Sequence, residues 1–337
     1  MTGLLSPRFR PFLWSLVTAG LSVFLTDTGW SQADYKRFFD EENVPAVKAI
    51  FKAGRYDLCE QVCNMAEQRG QPAVDWRVIK FKALEAMGRV DEALEIAEKL
   101  PISYPDEIPA LMEAHDLFLR YGRKEKAEEM LTLVNEAALR KKRNERTGAE
   151  RVALGRAALA LGADPRKVLD QYFAPVKKQK PKTKDDIPEG LIDAHIAAGN
   201  LALDKSDFKR AATEFQAALK FEPNDPDVRY GVAVAFGPSD QEKADESLSR
   251  ALKVNPVHAP SLMRLAEAQI NREQYDTADQ IIGQLLSVNP VHPKAWSYKA
   301  IIANLARNDE EGFNTARAKA LEPWVENPEV DHTIGRV

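Results

Sequence analysis

Cysteine and histidine are scarce in this chain. Two cysteines in 337 residues leave no disulfide framework and no cysteine-rich zinc module to carry the fold. Five histidines occur, and none stands in the H-E-x-x-H spacing that puts two zinc ligands on one helix face. Glycine-rich phosphate loops and a G-x-S-x-G nucleophile elbow are also missing. With them go the most readable signs of nucleotide binding and acyl transfer. No catalytic residue, metal or cofactor is therefore expected, and no small-molecule substrate is evident. The charge is nearly balanced, with 47 basic against 51 acidic residues and a net −4. No global field draws the chain to nucleic acid or anionic lipid.

Long apolar runs are equally rare. The one that stands out, Pro11–Leu25, has 15 residues, short of the ~20 needed to span a bilayer. Arg8 and Arg10 precede it, and Ser31-Gln32-Ala33 follows with small residues where a signal peptidase reads. This layout predicts a signal peptide over residues 1–33, cleaved after Ala33, and a periplasmic or extracellular mature protein. No cysteine follows the apolar run, so a lipid anchor is not expected there. Cleavage removes two positive charges and one negative, leaving −5. Cys59 and Cys63, four apart on one predicted helix, are poorly placed for a disulfide. They lack nearby partners for a metal site. Two buried thiols are expected, behaving as small hydrophobes.

What is present is a period. Gly54, Gly88 and Gly122 stand 34 residues apart, and Cys59, Ala93 and Ala127 follow each by five. From Ile192 onward the pattern sharpens. The stretch Ser206–Pro223 places Ala211, Phe215 and Ala218 at helical spacing and closes on a proline. Ala244, Leu248 and Ala251 repeat it before Pro256; Tyr275, Ala278, Ile282 and Leu285 repeat it before Pro290; a further unit runs from Trp296 to Pro323. The closing prolines are spaced 33, 34 and 33. Apolar residues three and four apart give each helix one buried face that a single unit cannot cover, so neighbouring units must stack. Small residues allow close helix crossings, and proline ends the second helix.

These residues resemble the tetratricopeptide repeat, including the tryptophan at Trp296. The resemblance implies an all-α solenoid of antiparallel helix pairs, about eight repeats in two blocks. The N-terminal block is expected over 34–174 and the C-terminal block over 189–337. Between them Pro175–Pro188, with Lys177, Lys178, Lys180, Lys182 and Lys184, reads as a solvated linker. The fourth unit, Gly155 to Phe173, is longer and its register is open. In such arrays the first helices line a concave groove that holds protein or peptide segments. Carried onto this sequence, the groove positions are Asp193, Ile196, Asn200, Asp227, Tyr230, Val234, Met263, Arg264, Glu267, Lys294, Ser297, Tyr298 and Ile301. The clamp with which some members grip a C-terminal carboxylate is not complete here.

Two further motifs stand out. Arg140-Lys-Lys-Arg143, with Arg146 and Arg151, is the densest basic cluster. It has no interleaved aromatics for base stacking, and reads as a solvated helix end rather than a nucleic-acid site. Asn255-Pro-Val-His258 and Asn289-Pro-Val-His292 are near-identical and 34 apart, as expected of equivalent turns capping equivalent helices. After Pro323, the sequence from Asn327 resembles the opening of another first helix. That is the pattern of the N-terminal part of a longer arrangement, or of an end covered by a partner. The chain resembles exported bacterial tetratricopeptide proteins, some of which carry a metallopeptidase-like domain downstream. A protein-interaction scaffold is the leading expectation; a regulatory arm of a longer or neighbouring enzyme is the alternative.

Overall fold

A computed structural model describes residues 44–70, 73–181 and 186–336; the segment expected as a signal peptide lies outside them. Seventeen helices follow one another in the described residues, with no strand between. They form eight antiparallel pairs and one closing helix. The first four pairs are α1 (Val44–Lys52) with α2 (Tyr56–Gln68), α3 (Val74–Ala86) with α4 (Val90–Ser103), α5 (Ile108–Arg120) with α6 (Lys124–Arg140), and α7 (Gly148–Ala160) with α8 (165–177). The next four are α9 (Leu191–Asp204) with α10 (Phe208–Leu219), α11 (Pro226–Phe236) with α12 (Gln241–Val254), α13 (Ala259–Ile270) with α14 (Tyr275–Leu286), and α15 (Pro293–Arg307) with α16 (Glu310–Leu321). Helix α17 (Pro328–Gly335) ends the series.

The repeated small residues lie where the helices cross. Cys59, Ala93, Ala97, Ala127, Ala211, Ala218, Ala244, Ala251 and Ala278 are all buried in the seams between helices. Both cysteines are free and buried, as the spacing leads one to expect. Contact with Cys63 and burial push the Cys59 thiol up. Acidic N-caps start several of the helices: Asp207, Asp225, Asp240 and Asp309 each accept a backbone N–H of the first turn. Thr147 and Glu150 form a full capping box at α7.

Helix α8 carries one π-helical turn, Leu169–Phe173, between two α-helical segments. It runs into the stretch expected as a linker. Val176 is fully buried and Lys177 pairs with Glu214 at 2.6 Å. The solvated stretch therefore begins only at Lys178, Gln179 and Lys180, which are exposed. The α7 and α8 pair packs directly on α9, so the stack runs on across this junction. At the far end α17 sets Val330 and Ile334 against the neighbouring helices and turns Glu329, Asp331 and His332 to solvent.

The stack coils until its first pairs meet its last. Asn255 Nδ2, in the α12–α13 loop, donates to Tyr56 Oη at 3.0 Å across 199 residues. Asn289 Nδ2, in the α14–α15 loop, donates to the Glu85 carbonyl at 3.2 Å. Lys52, at the end of α1, pairs with Asp225 at 2.7 Å and also with Glu222. Val257, Val288 and Val291 extend the N-terminal hydrophobic clusters. The turns at Gly54, Gly88 and Gly122 are the surfaces touched. All three glycines have positive φ (75°, 78° and 69°). A Cβ at Gly54 would lie 2.2 Å from Asn255 Oδ1, one at Gly88 2.6 Å from Asn289 Oδ1, and one at Gly122 2.2 Å from Trp324. The two periodic signals, turn glycines and Asn-Pro-Val-His loops, are thus two sides of one contact.

Candidate partner-binding face

Each first helix packs against the first helix of the next pair, from α1 through α15. This puts the first helices on the inside of the coil. One column of residues runs along six of them, six positions before the left-handed residue of the turn: Lys48, Lys82, Asp116, Arg156, Asn200 and Glu267, set against Gly54, Gly88, Gly122, Gly162, Ser206 and Glu273. Before Asn308 the same position is the buried Ile302, and the α11–α12 turn has no left-handed residue.

Around the first four members a chain of ion pairs steps from helix to helix. Lys48 meets Asp75 at 2.7 Å, Lys82 meets Glu113 at 2.5 Å, and Glu113 meets Arg156 Nη1 at 2.8 Å. Arg156 also grips Asp116, whose other side takes His115 at 2.7 Å. Burial alone pushes the Glu113 carboxyl up, but Lys82 and Arg156 outweigh it and hold the group well below the ordinary carboxylate range. Asp193 on α9 ends the run without an ion pair among the described residues. The protein crowded around it pushes its carboxyl up, with Glu113 adding and Lys48, Lys82 and Arg156 opposing. Its side of α9 is exposed. Lys48 on α1, Lys82 on α3, Glu113 on α5 and Arg156 on α7 thus all act on this one carboxylate.

Further along, Glu267 collects Lys294 at 4.0 Å and Arg336 at 3.7 Å. Lys294 Nζ stands 5.5 Å above the Tyr298 ring. His258 is fixed by Ser261 Oγ at 2.8 Å and Asp227 Oδ1 at 3.0 Å, with the Tyr230 ring 6.2 Å away. The corresponding His292 does a different job: its Nδ1 accepts the Ala295 N–H at 3.3 Å, capping α15.

Of the expected groove residues, Asp193, Ile196, Asn200, Asp227, Tyr230, Val234, Arg264, Glu267 and Lys294 keep exposed or half-exposed surface. Met263 (3%), Tyr298 (2%) and Ile301 (3%) do not, and Ser297 is fully buried. Met263, Tyr298 and Ile301 sit inside the hydrophobic cluster of α13, α14 and α15. The reason is helical geometry: neighbours in sequence lie about 100° apart around the axis, so Met263 turns inward where Arg264 turns outward. The column members Lys48, Lys82, Asp116 and Arg156 were not expected from the sequence. The signal was available, since the first three are 34 apart, and Arg156 follows Asp116 by the same 40 that separates Gly122 from Gly162. A polar groove of about 420 Å³ opens across α2, α3 and α4, lined by Glu60, Arg77, Lys80, Glu92, Glu95 and Lys99 among others.

Residues 196–236, which cover α10 and α11 with part of α9, match the family model described as Tetratricopeptide repeat. This is a tetratricopeptide-like fold. Among solved structures, a chain of the APC/C hetero-tetramer Cut9-Hcn1 aligns with a TM-score of 0.52 at 14% identity, over 86% of this chain. The alignment takes in 54% of the other chain, so this protein spans about half the length of that relative. A thermophilic tetratricopeptide protein of Thermus thermophilus aligns with a TM-score of 0.43 at 18% identity, over 56% of this chain and 97% of its own. PilF of Pseudomonas aeruginosa aligns with a TM-score of 0.43 at 12% identity, over 69% and 99%. No curated protein sequence matches the chain. The tetratricopeptide fold is one that serves as a protein-interaction scaffold, and this chain has its helix pairs, small-residue crossings and inner first helices.

Proposed function

We propose that the chain is a non-catalytic scaffold that holds a segment of another protein along the inner face of its coiled tetratricopeptide stack. The observation that carries this reading is the inner column, where polar and charged groups recur at one helical position on α1, α3, α5, α7, α9 and α13. A packing surface would place apolar or small residues there. The column has both signs of charge, and the exposed carboxylate two turns before Asn200 on the same helix, Asp193, is left for a cation from outside. Tyr230, Ile196 and Val234 add apolar surface of the kind that anchors a bound segment. The partner is thus a protein or peptide with basic and apolar side chains, and no nucleic acid. The Cut9-Hcn1 relative belongs to a hetero-tetramer, in keeping with a protein partner.

The basic and apolar start of the sequence supports export to the periplasm or beyond, with cleavage after Ala33; the mass of the mature N-terminal peptide tests it. For the binding reading, the full mature chain is used as bait in a periplasmic extract beside a Tyr230→Ala/Asp193→Lys variant of unchanged circular dichroism. Loss of the same partner in the variant is the expected result. Equal recovery by both proteins would contradict binding along this face.

A further inference from the structure

The basic run Arg140–Arg151 is not one solvated patch. Arg140 is neutralised by Asp106 at 2.6 Å, Lys141 by Glu150 at 2.6 Å, and Lys142 by Glu145 at 3.8 Å. Arg143, Arg146 and Arg151 form no ion pair among the described residues. These three converge on a cavity of about 140 Å³, whose remaining walls are Leu154, Gln171 and Tyr172. No carboxylate lines it.

The guanidinium groups are held without being discharged. Arg146 Nη2 donates to the Ala138 carbonyl at 2.7 Å. Arg151 donates to the Arg143 carbonyl at 2.8 Å through Nη2 and to the Arg146 carbonyl at 3.3 Å through Nε. Carbonyl acceptors position a cation and leave its charge in place. Each guanidinium carries five N–H donors, so most remain unused, and Arg146 Nε is buried with no partner at all. A buried donor left unpaired is costly unless something fills the space before it.

The cavity also lies where the repeat is broken. Successive turn glycines are 34 apart up to Gly122, but Gly162 follows after 40. Three of the extra six residues lengthen α6 and three lengthen the α6–α7 connection, which holds Arg143 and Arg146. The facing wall, Gln171 and Tyr172, belongs to the π-helical turn of α8, a departure that recurs at functional sites. Both irregularities of the fourth pair meet at this one cavity. Planar arginine forks suit the oxygens of phosphate-class anions, and Gln171 and Tyr172 bring polar groups to the same rim.

We propose that Arg143, Arg146 and Arg151, with Gln171 and Tyr172, form a binding site for a small tetrahedral oxyanion of the phosphate class. Such an anion ties the inserted loop to α8 and stabilises the fourth pair by mass action. The probe is inorganic phosphate, added to the full mature chain against sodium chloride of equal ionic strength. Binding is read by titration calorimetry and by the thermal midpoint. Phosphate is expected to bind and raise the midpoint where chloride does not. Arg143→Gln, which removes a guanidinium that makes no hydrogen bond among the described residues, should weaken binding at least tenfold with the fold intact. Arg151→Gln should do the same, and Arg250→Gln, on the remote α12 surface, should leave binding unchanged. An equal effect of chloride, or an Arg143→Gln variant that binds phosphate like the parent, would overturn the site.

Discussion

Seven of the eight turns between paired helices hold a residue at positive φ: Gly54, Gly88, Gly122, Gly162, Ser206, Glu273 and Asn308. The conformation alone therefore does not demand glycine, since serine, glutamate and asparagine all adopt it here. What distinguishes Gly54, Gly88 and Gly122 is the opposing coil, because Asn255, Asn289 and Trp324 occupy the space a Cβ would need. At Gly162 nothing lies within 4 Å of that position. Gly162→Ala is thus expected to cost only the left-handed penalty, about 1–2 kcal/mol. Gly88→Ala should cost more, as Asn289 must move and its bond to the Glu85 carbonyl weakens. Urea midpoints of the two variants compare these directly, and equal shifts would mean the coils do not touch. A second contrast separates the two tyrosines once expected in the groove. Tyr298→Ala empties a buried site and should destabilise by roughly 3–5 kcal/mol, as for other large aromatics. Tyr230→Ala should have a much smaller effect on the same midpoint.

At the scale of single helices, the N-terminus of α15 makes the fold sensitive to acid. Burial is the main influence on the His292 ring and Lys294 the next, and together they lower its pKa to about 4. The neutral ring is the form that accepts the Ala295 N–H. Because the folded value lies below the unfolded one near 6.5, the unfolded chain takes up the proton first. The His292 contribution is then complete above about pH 6.5 and lost as pH falls towards 4. His292→Asn keeps a good N-cap and removes the titration. Its thermal midpoint should fall less between pH 7 and 5 than that of the parent chain, and parallel decline would assign the acid sensitivity elsewhere. The helices themselves were largely readable from the sequence. Period, small residues and closing prolines placed the pairs because each reflects local crossing geometry. The π turn of α8 was not, because its residues carry no periodic mark and the insertion before α7 shifts the register. Inner and buried faces were confused at Met263, where one residue turns a side chain by about 100°, and at Tyr298 and Ile301, whose helix α15 is also covered by α17.

For the whole molecule, the sequence period says that pairs stack but not how far each rotates on the last. Small rotations accumulate over the array, so meetings 199 residues apart leave no trace in any window of the sequence. The coil they close is what brings charges on α1, α3, α5 and α7 to bear on Asp193, and it gives the proposed partner segment an enclosed path. The ion pairs of Lys52 with Asp225 at 2.7 Å and with Glu222 offer the most direct view of this closure. Treatment of the dilute protein with a carbodiimide converts such a pair into an amide without a spacer, and mass spectrometry of the digest locates it. A cross-linked peptide joining Lys52 to Glu222 or Asp225 is the expected product. If Lys52 joins only carboxylates of α1 to α4 while other ion pairs of the stack cross-link normally, the coil is open and the enclosed inner face does not exist.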